Sequence, residues 1–174
     1  MAENDFREIP TIEQSMCFGC GPSNEHGIKM KFYGNDKIIY SNVIIPEHMI
    51  GWKNLVHGGI ISIILDDCMG RCAMFHYRKL VFTKSMTINY LKPVIAGDML
   101  KVESEIQEHI NDRDVSVLGK VFDGKGKLCA SSTSTVSMLD TEFVKKLGIM
   151  DDQDLKDFLY MLNVRYDEAK NASL

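Results

Sequence analysis

His57-Gly58-Gly59-Ile60-Ile61-Ser62-Ile63-Ile64-Leu65-Asp66-Asp67-Cys68-Met69-Gly70-Arg71-Cys72-Ala73-Met74-Phe75 is the stretch on which the fold turns. From Gly58 to Phe75 the run is almost continuously apolar. It is too long for a strand and too uniformly apolar for a surface helix, so it predicts one buried central helix. Working outward, 28–32 and 37–45 alternate apolar and polar residues around Gly34-Asn35-Asp36, which predicts a hairpin. Beyond the helix, β-rich segments at 81–93, 99–109, 115–122 and 128–138 are separated by Ala96-Gly97-Asp98, Asn111-Asp112-Arg113-Asp114 and Asp123-Gly124-Lys125-Gly126. Two strands, a buried helix and four strands predict an α+β fold: an antiparallel sheet wrapped around one long helix. Leu155, Phe158, Leu159 and Leu162 fall at i, i+3, i+4 and i+7 and predict an amphipathic helix after the last strand. The expected organisation is a domain over 1–140, opening with a loop segment over 1–27, and a C-terminal helical extension over 141–174.

The composition narrows the function. The chain has 174 residues, 45% hydrophobic and 25% charged, with four prolines, the profile of one ordinary domain with a core. A net charge of −4 with scattered lysines and arginines offers no basic stripe for nucleic acid or an anionic membrane. No segment reaches the roughly 20 apolar residues needed to span a bilayer, and MAENDFREIP lacks the features of a secretory signal, so a cytoplasmic protein is expected.

Polar residues in the helix carry the chemistry. His57-Gly58-Gly59 alone reads as a tight turn leading into a helix, but such an end also presents N–H groups to an oxyanion. Two carboxylates in an otherwise apolar helix are costly to bury, which gives the turn more weight. At about 100° per residue, Asp67 shares a side with Arg71 and is expected to form an i,i+4 ion pair. Asp66 falls beside Gly59, Ser62, Gly70 and Ala73, a face of small residues with room for a water, a substrate or another backbone, and close approach there is the expected reason for a glycine at 70. A buried carboxylate capped by backbone donors or by Ser62 is the alternative for Asp66. Asp66 lies seven residues past Gly59, roughly 10 Å along the axis, so both groups reach one carbonyl only when two subunits supply them.

With these residues in view, the chain resembles the hotdog-fold thioesterases of the PaaI-like group, in which an HGG is followed at a fixed interval by an acidic residue on the central helix. The block from Thr83 to Pro93, followed by Gly97-Asp98, resembles that family's next strand and turn, and the likeness covers about 17–138. The resemblance implies a hotdog fold and hydrolysis of acyl- or aryl-CoA to free acid and CoA. It assigns a catalytic carboxylate to Asp66, an oxyanion donor to the Gly59 N–H, an orienting or substrate-contacting role to His57, and a water-holding hydroxyl to Thr83. Gly58, Asn54 and Ser62 are candidate substrate contacts. A homodimer is implied, and a dimer of dimers is also open. The alternative function is an acyl-CoA-binding hotdog protein that acts as sensor or carrier without turnover. A hydratase is disfavoured because no Asp and His pair precedes the helix.

Five cysteines in a chain of this size are expected to be reduced. Cys17-Phe18-Gly19-Cys20-Gly21 also occurs in members of the family, and Cys17, Cys20 and His26 together would offer three zinc ligands. No second CxxC follows and Cys68 and Cys72 fall on the buried helix, so a structural loop is expected, with no metal and no cofactor. Cys129 is expected in the core, Met69, Met74 and Met86 in the core or a pocket wall, and His48, His76 and His109 on surfaces or loops.

Overall fold

A computed structural model describes residues 6–165. Nine strands form: β1 (Arg7–Ile9), β2 (Phe32–Gly34), β3 (Ile38–Ile44), β4 (Ile50–Trp52), β5 (Leu55–Val56), β6 (Leu80–Tyr90), β7 (Met99–His109), β8 (Asp114–Phe122) and β9 (Leu128–Leu139). Helix α1 spans Gly58–Tyr77, and α2 (Thr141–Leu147) and α3 (Asp152–Tyr160) follow the last strand. Seven strands make one antiparallel sheet in the order β1-β2-β3-β7-β8-β9-β6, while β4 and β5 form a separate hairpin just before α1. This is the wrapped-helix arrangement that the hotdog resemblance implies.

The sheet accepts α1 because its helix-facing residues are small where the helix crosses. Ser104, Gly119 and Ser132 stand in register on β7, β8 and β9. A Cβ at Gly119 would lie 2.9 Å from Met69 Sδ and 3.0 Å from Leu65 Cδ2, so glycine is what lets the helix sit this close. Ser104 Oγ donates to Cys68 O at 2.9 Å, which satisfies the hydroxyl inside the apolar interface. Larger residues fill either side: Val102, Val115, Val117, Val121 and Val136 are fully buried, as are Ile64, Leu65, Cys68, Met69 and Cys72 of the helix. The helix ends at Arg78, whose backbone is left-handed.

Several elements depart from the sequence reading. Residues 28–31 do not join the hairpin: Lys29 is left-handed (φ 58°), and the Ile28 and Met30 N–H groups donate to Phe18 O (2.8 Å) and Gly19 O (2.9 Å). The backbone of this segment is therefore committed to the cysteine loop, and β2 begins only at Phe32. Strands β1, β4 and β5 are two or three residues long, too short to show a period of two. Among the described residues the C-terminal extension holds two α-helices, with a π-helical turn over Met161–Arg165 after the second. Gly148 (φ 62°) ends α2, and Asp151 restarts the chain by accepting from Gln153 N (2.8 Å) and Asp154 N (2.7 Å). Leu155, Phe158 and Leu162 are buried as the periodicity predicts, and Leu159 is half-buried. The end of the extension, 166–174, lies outside the described residues.

Asp114 anchors β6 to the β7–β8 turn. It accepts from Lys84 Nζ at 2.8 Å and Asn111 Nδ2 at 3.2 Å. Donation from Lys84, then from Ser137 and Asn111, holds its carboxyl down to about 2. A depressed carboxyl contributes stability above its unfolded value near 4 and loses that contribution as pH falls through the folded value. Asp114→Asn is therefore expected to unfold at lower urea than wild type near neutral pH, the gap closing as pH drops from about 4 towards 2; urea midpoints measured across that range check this.

Candidate active site

Asp66 projects half-buried from the middle of α1 towards the edge strand β6. Thr83 Oγ1 donates to Asp66 Oδ1 at 2.6 Å, a charge-assisted distance. The pairing of β6 with β9 shifts register between Thr83 and Ser85, a bulge of the kind that re-aims side chains. Thr83 thereby meets the helix while the next residue, Lys84, reaches Asp114. Both members of the Asp66–Thr83 pair line a cavity of about 480 Å³ whose wall is chiefly apolar. Leu80, Val81 and Met74 form part of that wall, and Met150, Phe158 and Met161 of the C-terminal extension close it. Gly70 lines it too, but a Cβ there would only touch Val81 Cγ2 at 3.9 Å, so this glycine leaves room in the cavity and does not serve close backbone packing.

The start of α1 forms a second cluster. His57 is the N-cap, its Nδ1 accepting from Gly59 N at 2.9 Å, so the ring proton sits on Nε2. The donor that the sequence reading aims at a carbonyl is thus held by the preceding side chain. Ser62 Oγ donates to Gly58 O at 3.0 Å and lies 2.9 Å from Tyr90 OH, which itself donates to Gly58 O at 3.2 Å. Ser62 is therefore engaged with the first helical turn and Tyr90, and not as a cap on Asp66. Asn54 is exposed in the β4–β5 turn, and its carbonyl accepts from Ala96 N at 2.9 Å. His57 lines a separate cavity of about 380 Å³ with His26, His48 and Phe18. Within one chain, Asp66 and His57 line different cavities, as the helical rise between them requires.

The cysteine loop walls the Asp66 cavity. Cys17 Sγ lies 3.7 and 3.8 Å from the two Asp67 oxygens, and Arg71 Nη2 donates to Cys20 Sγ at 3.4 Å. The Cys20 thiol, aided by the Cys20 and Gly19 N–H groups, holds Cys17 down to about 5 despite burial. Burial, then the Cys17 charge, pushes Asp67 up to about 6, against the lowering effects of Cys20 and of Arg71. The Arg71 charge lowers Asp67 while its guanidinium donates to Cys20, and the contact that the sequence did not reveal is Cys17, fifty residues away.

Tyr90 is the residue at the helix start that sequence reasoning missed; it stands in the quoted strand block, but nothing in the sequence ties it to Gly58. His76 and His109, expected on surfaces or loops, each meet a specific partner. His76 Nδ1 lies 2.8 Å from Cys72 O and its Nε2 3.1 Å from Asp36 O, while His109 Nε2 meets Tyr77 OH at 2.8 Å. Helix and strand bring these pairs together across long sequence separations. Cys129 is buried as expected, Met69 is core, and Met74 lines the Asp66 cavity.

Residues 53–130 match the thioesterase superfamily profile, an interval containing the whole of α1, the Asp66–Thr83 pair and the His57-Gly58-Gly59 turn. Over that interval, less than half of the chain, the sequence is similar to the thioesterase superfamily. The acyl-coenzyme A thioesterase THEM4 of Rattus norvegicus is 34% identical over 61 residues, which cover 35% of this chain and 26% of THEM4. The match thus spans about a quarter of that relative. The PaaI protein of the E. coli phenylacetic acid degradation operon superposes with a TM-score of 0.60 at 16% identity, covering 65% of this chain and 81% of PaaI. The smu.793 protein of Streptococcus mutans UA159, solved bound to acetyl CoA, superposes with a TM-score of 0.58 at 20% identity, covering 63% and 88%. These superpositions identify the sheet and central helix as the hotdog fold.

Proposed function

We propose that the chain hydrolyses acyl- or aryl-CoA thioesters at a site shared between two copies of itself. The observation that carries this reading is Asp66, held by Thr83 at 2.6 Å in the wall of a largely apolar cavity of about 480 Å³. A carboxylate fixed by one donor and facing an apolar space is placed to act on a carbonyl beside an acyl chain. THEM4 is named as an acyl-CoA thioesterase and smu.793 was solved with acetyl CoA, which supports a CoA thioester as the substrate class. The unit over 1–140 supplies the reacting groups, and the extension that follows shapes the acyl end of the pocket through Met150, Phe158 and Met161.

Geometry supports the shared site. Strand β6 ends the sheet, and among the described residues no strand pairs with the outer edge of its eleven residues, next to the exposed start of α1. An open edge of that length is a template for pairing. Antiparallel pairing of β6 with its own copy about a twofold axis runs the two α1 helices in opposite directions and turns Gly59 of one copy towards Asp66 of the other. In this reaction the thioester carbonyl takes the Gly59 N–H as His57 swings aside, with Gly58 and Asn54 beside the CoA arm. Asp66 removes a proton from water, the hydroxide adds to the carbonyl carbon, and the oxyanion collapses to expel CoA thiolate, which is then protonated. Direct attack by Asp66 instead breaks the C–S bond, expels CoA thiolate and leaves a mixed anhydride; when water opens it at the Asp66 carboxyl carbon, a single turnover in ¹⁸O-water labels that carboxylate, which general-base hydrolysis never does.

Release of free CoA thiol across a panel of acyl- and aryl-CoAs tests the reading. Tight binding without release would instead mark a carrier or sensor. Thr83→Val keeps the shape but removes the hydroxyl, and is expected to lower kcat about 10- to 100-fold, the value of a hydrogen bond to a charged group. A steady-state assay with an unchanged circular dichroism spectrum checks it.

A further inference from the structure

The loop bearing Cys17 and Cys20 is organised around its sulfurs. Gly21 N–H donates to Cys17 O at 2.9 Å, and the bonds to Phe18 O and Gly19 O pin the next two carbonyls. Gly19 rests so closely on Asp67 that a Cβ would lie 2.3 Å from Oδ2, so no other residue lets the loop reach the helix there without displacing that carboxylate. The result is a three-point cluster: Cys17 Sγ, Cys20 Sγ and an Asp67 oxygen all lie within 4.8 Å of one another.

We propose that Cys17, Cys20 and Asp67 bind one zinc ion, whose fourth position opens into the cavity that contains Asp66. Two thiolates at about 2.3 Å and a carboxylate oxygen at about 2.0 Å from a tetrahedral ion stand about 3.5–3.8 Å apart. The observed Cys17–Asp67 separations of 3.7 and 3.8 Å lie close to that span, and Cys20 Sγ, within 4.8 Å of both, has at most about 1 Å to close. Two soft thiolates select zinc over magnesium or calcium. Two thiolates, one carboxylate and Zn2+ sum to one negative charge, which Arg71 offsets while donating to Cys20 Sγ at 3.4 Å. Binding displaces the remaining ligand protons to solvent, and water completes the coordination. This departs from the sequence expectation in two respects. A metal is assigned, and its third ligand is Asp67 of α1, while His26 lies in the other cavity. The ion clamps the N-terminal loop to the helix one residue from Asp66, and it does so whether or not the chain hydrolyses thioesters.

Titration of the reduced, metal-free full chain with Co2+ under argon, followed by Zn2+, tests the site. The expected result is a thiolate-to-cobalt charge-transfer band that saturates at one equivalent, shows the ligand-field absorption of a tetrahedral ion, and is abolished by Zn2+. Zinc is also expected to raise the Tm of the wild-type chain. Asp67→Asn should weaken binding at least about 10-fold, and Cys20→Ser should remove the band and the Tm response. No charge-transfer band in the wild-type chain would overturn the proposal without any variant having to fold. A band unchanged in both Cys20→Ser and Asp67→Asn would also overturn it, because the sulfur would then come from elsewhere.

Discussion

Asp66→Asn is expected to lower kcat for acyl-CoA hydrolysis about 10²- to 10⁴-fold, the usual contribution of a positioned general base. The substitution keeps the size of the side chain and leaves Thr83 a carbonyl oxygen to bond, so the cavity wall stays in place. What it removes is proton-accepting power towards water and nucleophilicity towards the thioester. KM should change little, because Asp66 lies at the reacting carbonyl and not along the CoA arm. Thiol release measured together with direct binding of a non-hydrolysable analogue checks both halves. Equal kcat in variant and wild type would remove Asp66 from the chemistry.

Leu65→Ala is expected to destabilise the fold by about 2–5 kcal/mol, a large part of the roughly 5–15 kcal/mol that holds a domain together. Leu65 is fully buried, and its Cδ2 fills the space above Gly119 where α1 crosses the sheet. Ser104, Gly119 and Ser132 are too small and too fixed in register to close the void. Urea midpoints with an unchanged m-value report it. Gly119→Ala in the wild-type background is expected to cost about 1–3 kcal/mol by overpacking, and clearly less beside Leu65→Ala, because the added methyl then enters the void. Additive effects would mean that the two residues do not share this space.

The helix and the long strands were legible because each repeats its pattern many times. Eighteen residues of nearly unbroken hydrophobicity admit little except a buried helix, and β7 matches the expected 99–109 at both ends. The short strands had too few residues to repeat anything, and the left-handed Lys29 diverted a segment whose alternation suggested a strand. Asp66 could be singled out because a carboxylate in an apolar helix conflicts with its surroundings. Thr83 entered only through resemblance, since the bulge that turns it towards Asp66 has no signature in Thr83-Lys84-Ser85. Spacing allowed a donor at Gly59 but did not show that His57 Nδ1 holds that N–H. The Cys17–Asp67 contact is long-range, and the local pairing of Asp67 with Arg71 stood in front of it. Local periodicity therefore reports elements, while the site depends on which elements meet.

The central claim is that one reaction draws Gly59 and Asp66 from different copies of the chain, and subunit mixing tests it most directly. Asp66→Asn lacks the carboxylate and Gly59→Pro lacks the N–H, a proline being tolerated in the first turn of a helix. Each variant alone should be nearly inactive. When equal amounts are dissociated and reassociated, half of the dimers are mixed and each mixed dimer has one site with both groups intact, so about a quarter of wild-type activity should return. A mixture no more active than its parents, with mixed dimers demonstrated by mass spectrometry, would contradict a shared site.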